Sequence, residues 1–315
     1  MRLAFAPAGD RNAAAAVRIA CQAEDAGFDE VWLSEDYLER GAFAVAGGVA
    51  AATSRIGIGI GVVNPWTRHV GLTAMEAAAT NEIAQGRLTL GLGASNARWM
   101  QDQLGIAFRR PIATLVDYTD ALRTLLSGQA LDRLVCGQQV RARLSFSPDC
   151  PPPRLVLGVK GPRALAAAGG ADGVMLSVLA SPGYVDWVRK TFGHHDITAY
   201  VLVSTDRTAD AGRDRVAERV AHFLGVHGVS AITEKAGLPA EVAARFGERL
   251  RAGRSAVDLL TDRIISSVAV HGDRTSAAAT VAAFRESGLG CLVVMDDGVS
   301  EPEEQLRIAA DLVDR

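Results

Sequence analysis

Lysine is nearly missing from this chain: Lys160, Lys190 and Lys235 are the only three in 315 residues, and the rest of the 33 basic residues are arginines. Acidic residues number 36, so the formal net charge is −3 with no block of one sign, which argues against a nucleic-acid surface. No opening segment combines a charged start, an apolar centre and a cleavage site. No apolar run approaches the ~20 residues needed to cross a bilayer. These absences predict a cytoplasmic protein without membrane contact. Cysteine is sparse as well, and Cys21, Cys136, Cys150 and Cys291 lack paired spacing. Neither a disulfide framework nor a metal site is expected, and the four read as core or incidental residues.

What is abundant is apolar content, 49% of the chain, enough for a sizeable core. The most ordered pattern lies between Arg55 and Asn96, where the strands RIGIGIGVVNP and GRLTLGLGAS flank an Ala-rich helical run. Both strands are almost wholly apolar, as expected when both faces of a parallel sheet are covered. Each breaks at its carboxyl end into small and polar residues, the rim where β/α architectures bind ligands.

Strands are predicted over Arg2–Pro7, Glu30–Ser34, Arg55–Val63, Arg87–Gly93, Arg154–Val159, Gly173–Val178, Ile197–Ser204 and Cys291–Met295, mostly with helices between them. The turns at Asp25-Ala26-Gly27, Ala168-Gly169-Gly170 and Glu286-Ser287-Gly288 share one pattern: a helix ends at glycine, the chain turns tightly and a buried strand begins. Eight such strands predict an α/β fold, a single (β/α)8 TIM barrel over residues 1–315. A hairpin-like insertion at 129–153 follows strand four, with strands Leu131–Val135 and Val140–Phe146. A helical excursion at 206–288 separates strands seven and eight. No Gly-x-Gly-x-x-Gly follows strand one, which counts against an open dinucleotide-binding sheet.

The strand ends converge on one mouth in such a barrel. Glu35 and Asp36, after Ser34, are either general acid–base groups and cofactor partners or simply a turn cap. Gly59 and Gly61 are, on their own, close-packing residues. Gly158-Val159-Lys160-Gly161-Pro162-Arg163-Ala164 joins a tight turn, two cations and a helix start, the makings of a phosphate site or of a capped surface turn. His194-His195 reads as a solvated loop pair, and His222 and His227 lack the spacing of metal ligands.

Gly61-Val62-Val63-Asn64-Pro65-Trp66-Thr67-Arg68-His69, followed by Gly86-Arg87 and Gly91-Leu92-Gly93-Ala94, resembles the bacterial luciferase-like superfamily, nearest to its coenzyme F420-dependent methylenetetrahydromethanopterin reductases. The resemblance covers most of the chain loosely and is specific only in this stretch. It implies a non-prolyl cis peptide at Gly61-Val62 that backs a deazaflavin ring, with Asn64 reaching the ring's polar edge. It implies cofactor contacts from Ser34, Gly93, Ala94, Ser95 and Asn96. Lys160, Gly161, Arg163 and Ala164 would hold the phosphate-bearing tail. The sequence departs from the family in two places: Asp36 stands where relatives often carry a histidine, and Asn96 where they carry an acid. The implied activity is hydride transfer between reduced F420 and a small C=N or C=C substrate, with Glu35 and Asp36 as the catalytic candidates. The alternatives are an FMN-dependent monooxygenase using O2, and a non-catalytic ligand-binding barrel or partner subunit. The resemblance also implies a homodimer paired through helices near strands two to four; the small-residue face of Ala74, Ala77 and Ala78 fits close helix contact there and equally fits core packing.

Overall fold

A computed structural model describes residues 1–36, 38–205 and 209–312. The start of the predicted helical excursion at 206–208 and the predicted end of the last helix at Val313 lie outside them. Eight parallel strands close into a barrel: β1 (Arg2–Ala6), β2 (Glu30–Leu33), β3 (Gly57–Val63), β4 (Leu88–Gly93), β7 (Arg154–Gly158), β8 (Gly173–Leu176), β9 (Ile197–Thr205) and β11 (Cys291–Met295). They pair in that order, β9 with β11 and β11 back to β1, so no strand of the ring has a free edge. All eight strands coincide with those read from the sequence.

The insertion after β4 is an antiparallel hairpin, β5 (Leu131–Val135) with β6 (Gln138–Ala142). Its second strand starts earlier and ends earlier than predicted. The turn is only Cys136-Gly137, both residues left-handed at φ 51° and 83°, so pairing resumes at once at Gln138. The 206–288 excursion contains α7 (Ala209–His227), α8 (Ala231–Lys235), α9 (Ala240–Arg251), α10 (Asp262–Val268) and α11 (Arg274–Glu286). It also holds a strand that the sequence reading missed, β10 (Val270–Gly272), which lies parallel to the far end of β9. Of the three recurring turns, Gly27 and Gly288 take the left-handed conformation, whereas the turn at Ala168–Gly170 tightens into a 3-10 turn without it.

Two apolar layers result. The larger joins the outer faces of the strands to the helices, among them α2 (Ala42–Ala52), α3 (Val70–Ile83) and α4 (Pro111–Leu126). Ala74, Ala77 and Ala78 are buried in it, so the small-residue face of α3 is core and not a free surface. The smaller layer fills the barrel with Ala4, Trp32, Val156, Met175, Cys291 and Val293. Beneath Trp32 the amino-terminal end is sealed by an ionic cluster. Arg2 Nε lies 2.5 Å from Glu30 and its Nη2 3.0 Å from Asp196, while Arg154 also pairs with Asp196. The Trp32 indole donates to Glu30 at 2.7 Å.

Candidate active site

The carboxyl ends of β2, β3, β4 and β7 meet at the open end, and the sequence candidates divide there into two groups. One group holds loops in place. Glu35 Oε2 accepts from the Ala42 backbone N–H at 2.7 Å, capping α2, and Oε1 accepts from Arg68 Nε at 2.9 Å and pairs with Nη2 at 2.7 Å. Arg68 also pairs with Glu76 and lies 5.0 Å from the centre of the Phe43 ring. The structure thus gives Glu35 the capping arrangement, with both carboxylate oxygens engaged, which leaves little room for the ring-orienting or proton-relay role expected of it. Replacing Glu35 with glutamine should lower the unfolding temperature by a few degrees, through loss of about 1 kcal/mol, and leave the pH profile of any activity unchanged; a shifted profile would restore a proton-transfer role.

Asn64 and Asn96 behave alike. Asn64 is buried, its Oδ1 accepts from Trp66 N and Thr67 N at 2.9 and 3.1 Å, and its amide donates to Thr67 Oγ1 at 2.9 Å. These bonds anchor it to its own loop. Asn96 Oδ1 accepts from Trp99 N at 3.0 Å and starts the one-turn π-helix Arg98–Gln103. His69 caps α3 by accepting from Gly71 N at 3.1 Å.

The second group faces the mouth. The Gly61-Val62 peptide is cis, and the β3–β4 register shifts between Ile60 and Val63. Val62 then projects over glycines of two neighbouring strands. A Cβ at Gly93 would stand 2.4 Å from Val62 Cγ2, and one at Gly91 or Gly158 would stand 3.2 or 2.9 Å from Val62 Cγ1. Only glycine at these positions leaves room for that side chain. The product is a smooth apolar platform, with Ala94 and Ser95 beside it, Ser95 in the left-handed conformation at φ 59°. Trp66 packs against Phe108 at 4.8 Å between ring centres, walling one side of the β3 loop.

Asp36, at this rim, has no ion pair among the described residues. Burial, opposed by the Ser34 hydroxyl bond and reinforced by the like charge of Glu35, holds its carboxyl above the ordinary value. A carboxyl that binds its proton more tightly when folded stabilises the fold at low pH and loses that contribution as pH rises through the raised value. Asp36→Asn should therefore raise the unfolding temperature at neutral pH, with the gain vanishing below the ordinary carboxylate range; melting curves across pH 3–8 read this directly, and a pH-independent gain would deny Asp36 the raised pKa.

After β7, Lys160 and Arg163 are exposed and have no carboxylate partner among the described residues. Desolvation in the crowded mouth lowers the Lys160 ammonium. The helix that follows, α5 (Pro162–Ala167), is only six residues long, so the side-chain cations rather than a helix end give this loop its attraction for anions. The Tyr184 hydroxyl donates to the Lys160 carbonyl and fixes the loop from α6 (Pro182–Phe192). His227, at the end of α7, lies below: its Nε2 bonds the Val178 carbonyl at 2.7 Å, and burial together with the Lys160 charge pulls its pKa down to about 4, so it is a neutral imidazole.

The sequence reading missed Tyr200 and Met175, inward-facing residues of β9 and β8 that reach across the barrel to Gly61. It also missed Asp296 after β11, which Arg11, Gln305 and two backbone N–H groups hold, against the opposing effect of burial, at about 2. Among the described residues no group of three or more His, Cys, Asp or Glu is placed to hold a metal ion, and no helix is long and apolar enough to cross a membrane. A cleft of about 460 Å³ lies between Glu35, Asp36, Arg68 and Glu76, with Leu38, Leu72 and Met75 exposed around it.

A family model described as luciferase-like monooxygenase matches residues 3–290. The chain is 26% identical over 288 residues to the 5,10-methylenetetrahydromethanopterin reductase of Methanolobus tindarius, with 86% of each chain covered. It is 29% identical over 236 residues to the reductase of the same name from Archaeoglobus fulgidus, covering 69% of this chain and 68% of the relative. The solved coenzyme F420-dependent tetrahydromethanopterin reductase of Methanopyrus kandleri superposes with a TM-score of 0.82 at 20% identity, covering 98% and 97% of the two chains.

Proposed function

The chain belongs to the luciferase-like monooxygenase family and is an oxidoreductase, and from that premise we propose that it uses coenzyme F420 to pass a hydride between the reduced deazaflavin and a small substrate with a C=N or C=C bond. The observation that carries this reading is the Val62 platform over Gly91, Gly93 and Gly158. A flat tricyclic ring fits against such a surface, and the platform lies at the open end of a barrel whose other end is sealed. The M. tindarius and A. fulgidus reductases support the reductase branch.

When bound, the deazaflavin supplies the hydride, chemistry that no side chain offers. The protein's own part is placement. Val62 backs the ring, Gly93, Ala94 and Ser95 border it, and Lys160 and Arg163 neutralise the phosphate of its tail. Gly161 and Ala164 lend that loop its close backbone approach. Asp36, with Ser34 donating to it, is the acid–base group offered at the rim, its carboxyl binding a proton more readily than an ordinary one. Its carboxyl fills the place of the family's histidine, and Asn96 contributes a loop bond where relatives carry an acid, so proton delivery falls to Asp36. A homodimer would bring a second copy against the exposed Leu38, Leu72 and Met75 around the cleft.

Titration of the purified protein with oxidised F420 and, separately, FMN tests the assignment through cofactor fluorescence. Tight binding of F420 alone is expected. Preference for FMN would move the protein to a reduced-flavin monooxygenase that consumes O2. Binding of neither would leave a ligand-binding barrel or non-catalytic partner subunit.

A further inference from the structure

Buried polar atoms are normally partnered, because an unmade bond in the interior costs about 1–3 kcal/mol. The Tyr200 hydroxyl is an exception: its oxygen is inaccessible to solvent and has no hydrogen-bond partner. Its place in the barrel is specific. A Cβ at Gly61 would stand 2.9 Å from that oxygen, and 2.8 Å from Met175 Cε. Tyr200 therefore lies against the backbone of the bulge whose next residue, Val62, forms the platform. The phenol stays protonated, since burial raises its pKa far above the ordinary value and the Asp36 charge adds to the effect.

At the other end of the same barrel Glu30 accepts from the Trp32 indole and the Cys291 thiol and pairs with Arg2. At the mouth end the Tyr200 hydroxyl is a neutral donor left without a bond. Met175, whose thioether lies against the same Gly61 position, is unbranched and shifts at low cost.

We propose that Tyr200 is a cofactor-recognition residue, its hydroxyl making the missing hydrogen bond to a polar edge atom of the ring that rests on the Gly61-Val62 bulge. The inference rests on the proposed function and adds to it a residue that fixes the rotation of the ring in its own plane. Val62 supplies only a flat apolar surface and leaves that rotation free; one directional bond at its border sets it. Fixing it sets which carbon of the ring meets the substrate.

The test compares the wild-type chain with Tyr200→Phe in two measurements: thermal unfolding without cofactor, and fluorescence titration with oxidised F420. Removing an unpartnered buried hydroxyl should leave the unfolding temperature unchanged or slightly raised, while F420 binding weakens about tenfold and the absorption band of the bound ring shifts. A lower unfolding temperature with unaltered F420 affinity would overturn the assignment, because it would mean that the hydroxyl is held by an internal partner. Unchanged values in both measurements would overturn it equally. Wild-type protein that binds neither F420 nor FMN would overturn the proposed function and this inference together, whereas wild-type binding that the substitution leaves intact removes the inference alone.

Discussion

Gly93→Ala should weaken F420 binding on the order of a hundredfold while leaving a folded barrel. The new methyl would stand 2.4 Å from Val62 Cγ2 and 3.1 Å from its Cβ, so Val62 has to turn or lift. Overpacking of this kind costs about 1–3 kcal/mol. Here the displaced group is the surface that meets the ring, so the same displacement is felt again on binding. The neighbouring position sharpens the contrast. A Cβ at Gly91 would meet the Ile60 carbonyl at 2.6 Å, and backbone inside a closed sheet cannot step aside, so Gly91→Ala should damage the fold itself. Gly169→Ala, with nothing within 4 Å of the added methyl, is the control. Fluorescence titration beside thermal melts separates the cases, and a Gly93→Ala protein with wild-type affinity would mean that the ring does not rest on Val62.

Arg87→Ala should remove about 3 kcal/mol of stability without touching the mouth. The guanidinium donates to Thr53 Oγ1 and the Ile56 carbonyl at 3.0 and 2.7 Å, and to the Ala50 and Thr53 carbonyls at 3.1 and 3.0 Å. Ala50 and Thr53 sit at the end of α2, whose last carbonyls have no partner within the helix. Ile56 and Ala50 are buried, so truncation strands acceptors away from water. Lysine should recover only part of the loss, because a single ammonium cannot bridge four acceptors. Denaturant unfolding gives the number, and a loss below about 1 kcal/mol would show that water replaces the guanidinium there.

The barrel was legible because its strands are short, continuous apolar runs punctuated by glycine, a pattern that survives without knowledge of contacts. The cis peptide at Gly61-Val62 was legible only through the family resemblance, since on their own Gly59 and Gly61 read as close-packing residues. The site was illegible where partners are distant. Glu35 reads equally as an acid–base group or a turn cap until Arg68, 33 residues on, is seen to hold it. Asn64 and Asn96 carried a local signal that was available, since each bonds a backbone N–H two or three residues later. Tyr200 carried none. In a strand buried on both faces, sequence does not tell which residues point into the barrel and which toward the helices.

The ionic seal under Trp32 makes the barrel a blind shaft. Arg2, Glu30, Asp196 and Arg154 leave no lower exit, so everything that enters does so past the same rim and departs the same way. Whatever lies deepest goes in first and comes out last. If the proposed ring rests on Val62, it must arrive before a substrate stacked above it, and product must clear before the ring can be exchanged, so turnover would be a queue with a single door.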